Sequence, residues 1–151
     1  MTQADKELLL KDLCARLPYG VMAKFGDSNP SKITNITQGI DSDSWFVESE
    51  GELDGMMCEI NNVKPYLFPL SSMTPEQENE WNNLFHNPLD ELFTKDKNGG
   101  IERNEKLLLI SKSMLDPIQW SYKNHFDILG LIPMGLAIDA TGLSVYTNSN
   151  E

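Results

Sequence analysis

The chain carries few of the residues that do chemistry. Among its 151 residues there are two cysteines, two histidines and only 12 basic side chains. Cys14 and Cys58 form no Cys-x-x-Cys pair, which excludes a zinc ribbon or a thioredoxin-type site. Two buried free thiols, each acting as a small hydrophobe, are expected instead. No sequence motif sets a Ser or Cys nucleophile beside His86 or His125. The P-loop, dinucleotide and Gly-x-Ser-x-Gly fingerprints are all missing. The longest unbroken apolar run, Leu107–Ile110, is four residues, where a membrane-spanning helix needs about 20. The opening Met-Thr-Gln-Ala-Asp-Lys-Glu has no apolar core of the kind a secretory signal needs. A cytoplasmic location is therefore expected.

What is abundant is negative charge. Against 12 Lys and Arg stand 23 Asp and Glu, a net charge of −11, and the excess is unevenly placed. Residues 41–60 hold Asp41, Asp43, Glu48, Glu50, Glu52, Asp54 and Glu59 with no Lys or Arg, or −7 in one stretch. Such a chain repels nucleic-acid phosphates, so direct nucleic-acid binding is not expected. The acidic stretch reads in two ways. It is a solvated hairpin edge whose charges block edge-to-edge pairing, or a surface that engages a basic protein.

Along the chain, Thr2 caps a helix over residues 3–17, with Asp5 three residues on and an apolar stripe of Leu9, Leu10, Leu13, Cys14 and Leu17. Pro18 ends it. A short antiparallel meander of about four strands follows over residues 20–63. Its strands are Val21–Phe25, the run through Ile33, Ile36 and Ile40, Trp45–Val47, and Met57–Val63, with turns at 26–30, 41–43 and 50–55. This is a small sheet or an SH3-like partial barrel. Pro65 and Pro69 then break the chain out of the sheet. Thr74-Pro75-Glu76-Gln77 starts a helix with a capping box and proline in the first turn, opening a helical region over about 75–138. Within it a short helix near Leu89, one over about 104–114 and one starting at Asp116-Pro117 are expected. The Asn-, Ser- and Thr-rich tail over 141–151 is expected to fray. Helix, strands, then helices is the order of a single α+β domain over 1–151, not of alternating βαβ units.

Two local patterns invite a chemical reading. Thr94 to Glu105 imitates a twelve-residue calcium loop, with Asp96, Asn98, Gly99, Ile101 and Glu105 at positions 3, 5, 6, 8 and 12. Thr94 stands where a carboxylate is expected and no second hand accompanies it, so a polar Asn-Gly turn explains the same residues. His125-Phe126-Asp127 sets an imidazole near a carboxylate, but side chains two apart do not face each other on a helix. A structural histidine suffices there. Glu76, Glu78 and Glu80 begin a helix, where acid complements the dipole.

Three segments carry a resemblance: Asp12-Leu13-Cys14-Ala15-Arg16-Leu17-Pro18-Tyr19-Gly20-Val21, Val63-Lys64-Pro65-Tyr66-Leu67-Phe68-Pro69-Leu70-Ser71-Ser72-Met73-Thr74, and His125-Phe126-Asp127 through Gly130-Leu131-Ile132 to Gly135-Leu136-Ala137. Together they resemble an uncharacterised protein family of gut Bacteroidales and their bacteriophages. The resemblance implies no activity and no cofactor. It departs from the family pattern at Phe68, where a basic residue is common, and at Asn124, where a histidine often precedes His125. The first two segments mark the helix-to-sheet and sheet-to-helix junctions. A groove there, lined by Tyr19, Tyr66 and Phe68, is the expected place for a pocket.

These readings leave no residue assigned as catalytic, cofactor-binding or metal-ligating. The expected role is a non-enzymatic protein-interaction or regulatory domain, of phage or mobile-element origin, taking a basic protein on its acidic 41–60 face. The alternatives are an enzyme with its site at the sheet–helix junction and a calcium module at 94–105.

Overall fold

A computed structural model describes residues 1–41, 43–50, 57–84 and 114–146. The chain divides into two compact units, Met1–Ser72 with His125–Glu151, and Met73–Asn124. Both helices and strands are present, so the fold is mixed α+β.

The first unit opens with helix α1, Gln3–Arg16. Thr2 and Asp5 close the capping box reciprocally, Thr2 N–H donating to the Asp5 carboxylate at 2.8 Å and Asp5 N–H to the Thr2 hydroxyl at 3.1 Å. The buried face consists of Leu9, Asp12, Leu13 and Arg16, the i, i+3, i+4, i+7 spacing of one helix side. Cys14 lies off that face and is exposed, while Cys58 is half-buried, so the expectation of two buried thiols does not hold. A 3₁₀ turn over Leu17–Tyr19 follows, and Gly20 leaves it at φ +72, a left-handed conformation that glycine adopts without a Cβ penalty.

Six strands then form one mixed sheet rather than a meander of about four. They are β1 (Met22–Phe25), β2 (Ser31–Gln38), β3 (Trp45–Ser49), β4 (Met57–Glu59), β5 (Val63–Leu67) and β6 (Ile138–Asp139). The order is β4-β3-β2-β1-β5-β6. All neighbours are antiparallel except β5 and β6. The sheet is open, since the end strands β4 and β6 are not paired in that order. The stretch expected as one strand over 57–63 is split by a 3₁₀ turn at Ile60–Asn62. That turn releases the chain from β3 and delivers it to β1. In a flat sheet β5 would lie four strand spacings from β4, roughly 19 Å. The four residue steps from Glu59 to Val63 reach at most about 14 Å, so the sheet curls.

Pro65 does not break the chain out of the sheet; it lies within β5, opposite Ala23. Met22 N–H is directed towards β5, where it meets the Tyr146 hydroxyl at 3.3 Å. Antiparallel pairs alternate, so Ala23–Pro65 is a non-hydrogen-bonded pair and proline's missing N–H costs nothing on the β1 side. On the other side β6 meets β5 only from Tyr66 onward.

The core lies between α1 and the sheet, with Leu9 and Leu13 packed among Val21, Ala23, Val47 and Val63. Residues 125–137 complete it as turns, not as the helix expected there. Three backbone features explain the difference: His125 at φ 59, Gly130 at φ 73 and Gly135 at φ 72 are all left-handed. The Asp127 carboxylate meanwhile accepts the amides of Leu131 and Ile132 at 2.8 and 2.9 Å. A side chain that takes local backbone donors competes with the helix ladder. The segment instead joins the sheet, Phe68 N–H donating to His125 O at 2.9 Å and Asp127 N–H to Phe68 O at 2.8 Å. β6 follows.

In the second unit, helix α2 (Pro75–Leu84) starts as expected, Thr74 and Gln77 capping each other at 2.9 and 3.2 Å. Residues 114–123 are helical. The indole N–H of Trp81 donates to Ser121 Oγ at 3.2 Å and that of Trp120 to the Glu80 carboxylate at 3.3 Å, tying the two helices. The calcium-like loop 94–105, the helices expected near Leu89 and over 104–114, and His86 lie outside the described residues.

Candidate functional site

Two places in the first unit gather chemistry-bearing side chains. One is buried and one is open.

The buried place is built on α1. Arg16 and Asp12, both fully buried, face each other one helical turn apart. Arg16 Nε donates to Asp12 Oδ2 at 2.7 Å and Nη2 to Oδ1 at 3.0 Å, a bidentate pair. The same Nη2 donates to Phe126 O at 2.7 Å, fastening the 125–137 segment to the helix. Burial pushes the Asp12 carboxyl up from its usual range, while the Arg16 hydrogen bonds and charge pull it down. His125 is 9% exposed. Its ring stacks on Tyr146 with centroids 4.1 Å apart and planes 11° from parallel. Its Nδ1 is buried and has no hydrogen-bond partner among the described residues. Burial, assisted by the nearby Arg16 charge, lowers the imidazole to about 4, so it is neutral at pH 7. The tail expected to fray is held as far as Tyr146. Its hydroxyl donates to Tyr66 O at 2.6 Å and accepts from Met22 N–H, and burial raises the phenol well above its ordinary range.

The expected groove of Tyr19, Tyr66 and Phe68 is not assembled from those three. Tyr66 is buried and Tyr19 is exposed. Phe68 packs against the rings of Phe126 and Tyr146, at 6.2 and 5.8 Å. The place is filled by the chain's own aromatics.

The open place is a cleft of about 190 Å³ at one end of the sheet, lined by Lys6, Asp41, Asp43, Ser44, Trp45, Glu59, Ile60 and Asn61. Three elements converge there: the first half of α1, the β2–β3 turn and the 3₁₀ turn after β4. The β2–β3 turn is firmly built, with Gly39 N–H donating to Ser44 O at 2.8 Å and Ser44 N–H to Asp41 O at 3.0 Å. The Ser44 hydroxyl also donates to Asp41 O, at 3.0 Å. A Cβ on Gly39 would run into the Ser44 side chain and the Phe46 ring, so glycine is needed for the close approach.

The seven-carboxylate stretch is thereby divided. Asp41, Asp43 and Glu59 line the cleft. Glu48 and Glu50 instead lie along the sheet, Glu48 accepting from Asn35 Nδ2 at 3.3 Å and Glu50 standing 4.0 Å from Lys32 Nζ. Glu52 and Asp54 are outside the described residues. Sequence reasoning found the charge but not its gathering against Trp45 and Asn61. It missed the Asp12–Arg16 pair altogether, although the i, i+4 spacing was a signal.

Among the described residues no three His, Cys, Asp or Glu side chains are grouped to hold a metal ion, and no helix is long and apolar enough to cross a membrane. Compared with protein-family models, curated proteins and solved structures, the chain matches none.

Proposed function

We propose that the chain is a non-enzymatic interaction module that takes a basic side chain of a partner protein in the cleft between the β2–β3 and β4–β5 turns. The observation that carries this reading is the composition of the cleft. Asp41, Asp43 and Glu59 outnumber the one basic residue of the lining, Lys6, and Trp45 forms part of the wall. Carboxylates beside an indole face suit an ammonium or guanidinium group, which gains charge-assisted hydrogen bonds from the first and cation–π attraction from the second. A concave wall of one sign also focuses the field and speeds encounter with an oppositely charged partner. Ile40, fully exposed on the same turn, and Met57 on β4 add apolar contact surface nearby.

A finer description of the scaffold accompanies this reading. Strands β1 to β5 make an SH3-like partial barrel, supported by the curl that the short β4–β5 connection requires. The cleft then sits at one mouth of that curl, between two of its turns. The resemblance to proteins of gut Bacteroidales and their phages suggests a mobile-element origin, which the gene neighbourhood would test.

The direct test of the site is a titration of isotopically labelled protein with an oligo-lysine peptide. Shift changes should centre on the Trp45 indole N–H and the amides of Asp43, Ser44 and Asn61. Changes spread over all acidic surfaces, α2 included, would refute a discrete site.

A further inference from the structure

The register of β1 and β5 holds an interruption that the proposed cleft does not explain. Ala23 pairs with Pro65 and Lys24 with Lys64, so Met22 and Tyr66 stand opposite each other next in line. In an antiparallel ladder that alternates, this is a pair that exchanges direct N–H···O bonds. Instead the Tyr146 hydroxyl is interposed, accepting from Met22 N–H at 3.3 Å and donating to Tyr66 O at 2.6 Å. A side chain from the tail thus completes the sheet where two strands have separated.

Stacking adds to these hydrogen bonds in holding that side chain in place. Tyr146 lies face to face with His125 at 4.1 Å and against Phe68 at 5.8 Å. His125 is fixed by its own backbone, whose carbonyl accepts from Phe68 N–H. Among the described residues the charged and titratable groups of this nest are few. From α1 come Arg16 and Asp12, from the histidine's own loop Asp127, from the tail Tyr146 and from β5 Tyr66, while β1 contributes only the Met22 amide. Both carboxylates are already engaged, Asp12 by Arg16 in bidentate fashion and Asp127 by the amides of Leu131 and Ile132.

We infer that the tail segment Thr141–Tyr146 is a proton-sensitive strap: neutral His125 keeps Tyr146 seated between β1 and β5, and protonation of His125 unseats it. Among the described residues, a second positive charge beside the Arg16 guanidinium has no uncommitted carboxylate to meet, and burial denies it water. Moving the strap aside hydrates the imidazolium and uncovers Met22 N–H and Tyr66 O, a donor and acceptor that either close on each other or take a group from outside. Because the seated imidazole sits near 4 and a hydrated one near 6.5, acidification from pH 7 to 4 favours the released strap by about 100-fold.

Native-state hydrogen exchange of the full chain between pH 7 and 4 tests this. After correction for intrinsic rates, Met22 amide protection should fall on acidification while that of Val47, in the middle of the sheet, is retained over a wider range. The His125→Asn variant, whose side chain tolerates a left-handed backbone, should abolish the pH dependence of Met22. Should that variant not fold, Tyr146→Ala offers a reciprocal reading: the His125 titration midpoint should climb towards its ordinary value by about one unit or more. Met22 protection that stays flat, or that falls in step with Val47, would overturn the inference. So would an unmoved His125 midpoint in Tyr146→Ala.

Discussion

At the scale of single residues, the fold rests on a polar pair set into an apolar core. Arg16 and Asp12 share the buried face of α1 with Leu9 and Leu13. Removing one partner strands a buried charge, which costs about 3–5 kcal/mol, whereas replacing both with apolar residues of similar size is often close to neutral. Denaturant unfolding should therefore show Asp12→Leu losing most of that amount, and the double variant Asp12→Leu with Arg16→Met losing clearly less. Equal losses would mean the pair itself, not the stranded charge, is what stabilises the fold. His125 gives a second residue-scale expectation. Its folded-state value, about 4, lies below the unfolded 6.5, so between those limits the unfolded chain binds more protons. Stability is then fully present above pH 6.5 and declines as pH falls towards 4, by roughly 3 kcal/mol in total. In His125→Asn that part of the pH profile should flatten.

At the scale of elements, much is legible in the sequence alone. The capping boxes at Thr2 and Thr74, the proline that closes α1 and the first three strands are local signals, set by residues within one turn of each other. Two departures share one cause. Local propensity predicts a break at Pro65 and a helix through 125–137, because it is silent about partners far along the chain. Pro65 is tolerated because Ala23–Pro65 is a non-hydrogen-bonded pair, and the Met22 N–H and Tyr66 O beside it are met by the hydroxyl of Tyr146. The 125–137 segment is held by Arg16, some 110 residues away, and by Phe68. Only Gly130, Pro133 and Gly135 hinted locally against helix. Gly20 is an element junction whose cost can be measured. Its φ of +72 means Gly20→Ala should destabilise by about 1–2 kcal/mol. The adjacent Lys32 Cε, 3.1 Å from the added methyl, can give way because it ends a flexible side chain. A change within about 0.5 kcal/mol, the range of an indifferent surface site, would contradict the need for glycine.

At the scale of the whole molecule, charge is the property that sequence showed most plainly and structure most changed. Seven acidic residues in twenty looked like one face. Folding sends Glu48 and Glu50 along the strands, towards Asn35 and Lys32, and leaves Asp41, Asp43 and Glu59 around a cleft with Trp45. No sequence pattern could have shown this, since Glu59 reaches the cleft only because the chain turns at Ile60 to cross from β4 to β5. A module that used net charge alone would not need the cleft. A module that uses the cleft should be sensitive to where charge is removed, not to how much. The deciding measurement compares oligo-lysine affinity, by calorimetry at about 0.1 M salt, for two variants of equal charge. One is Asp41→Asn with Asp43→Asn and Glu59→Gln, and the other is Glu76→Gln with Glu78→Gln and Glu80→Gln on α2. The expected result is a loss of about tenfold or more in the first, from three charge-assisted contacts, and near wild-type affinity in the second. Equal losses in the two would contradict a discrete basic-side-chain site.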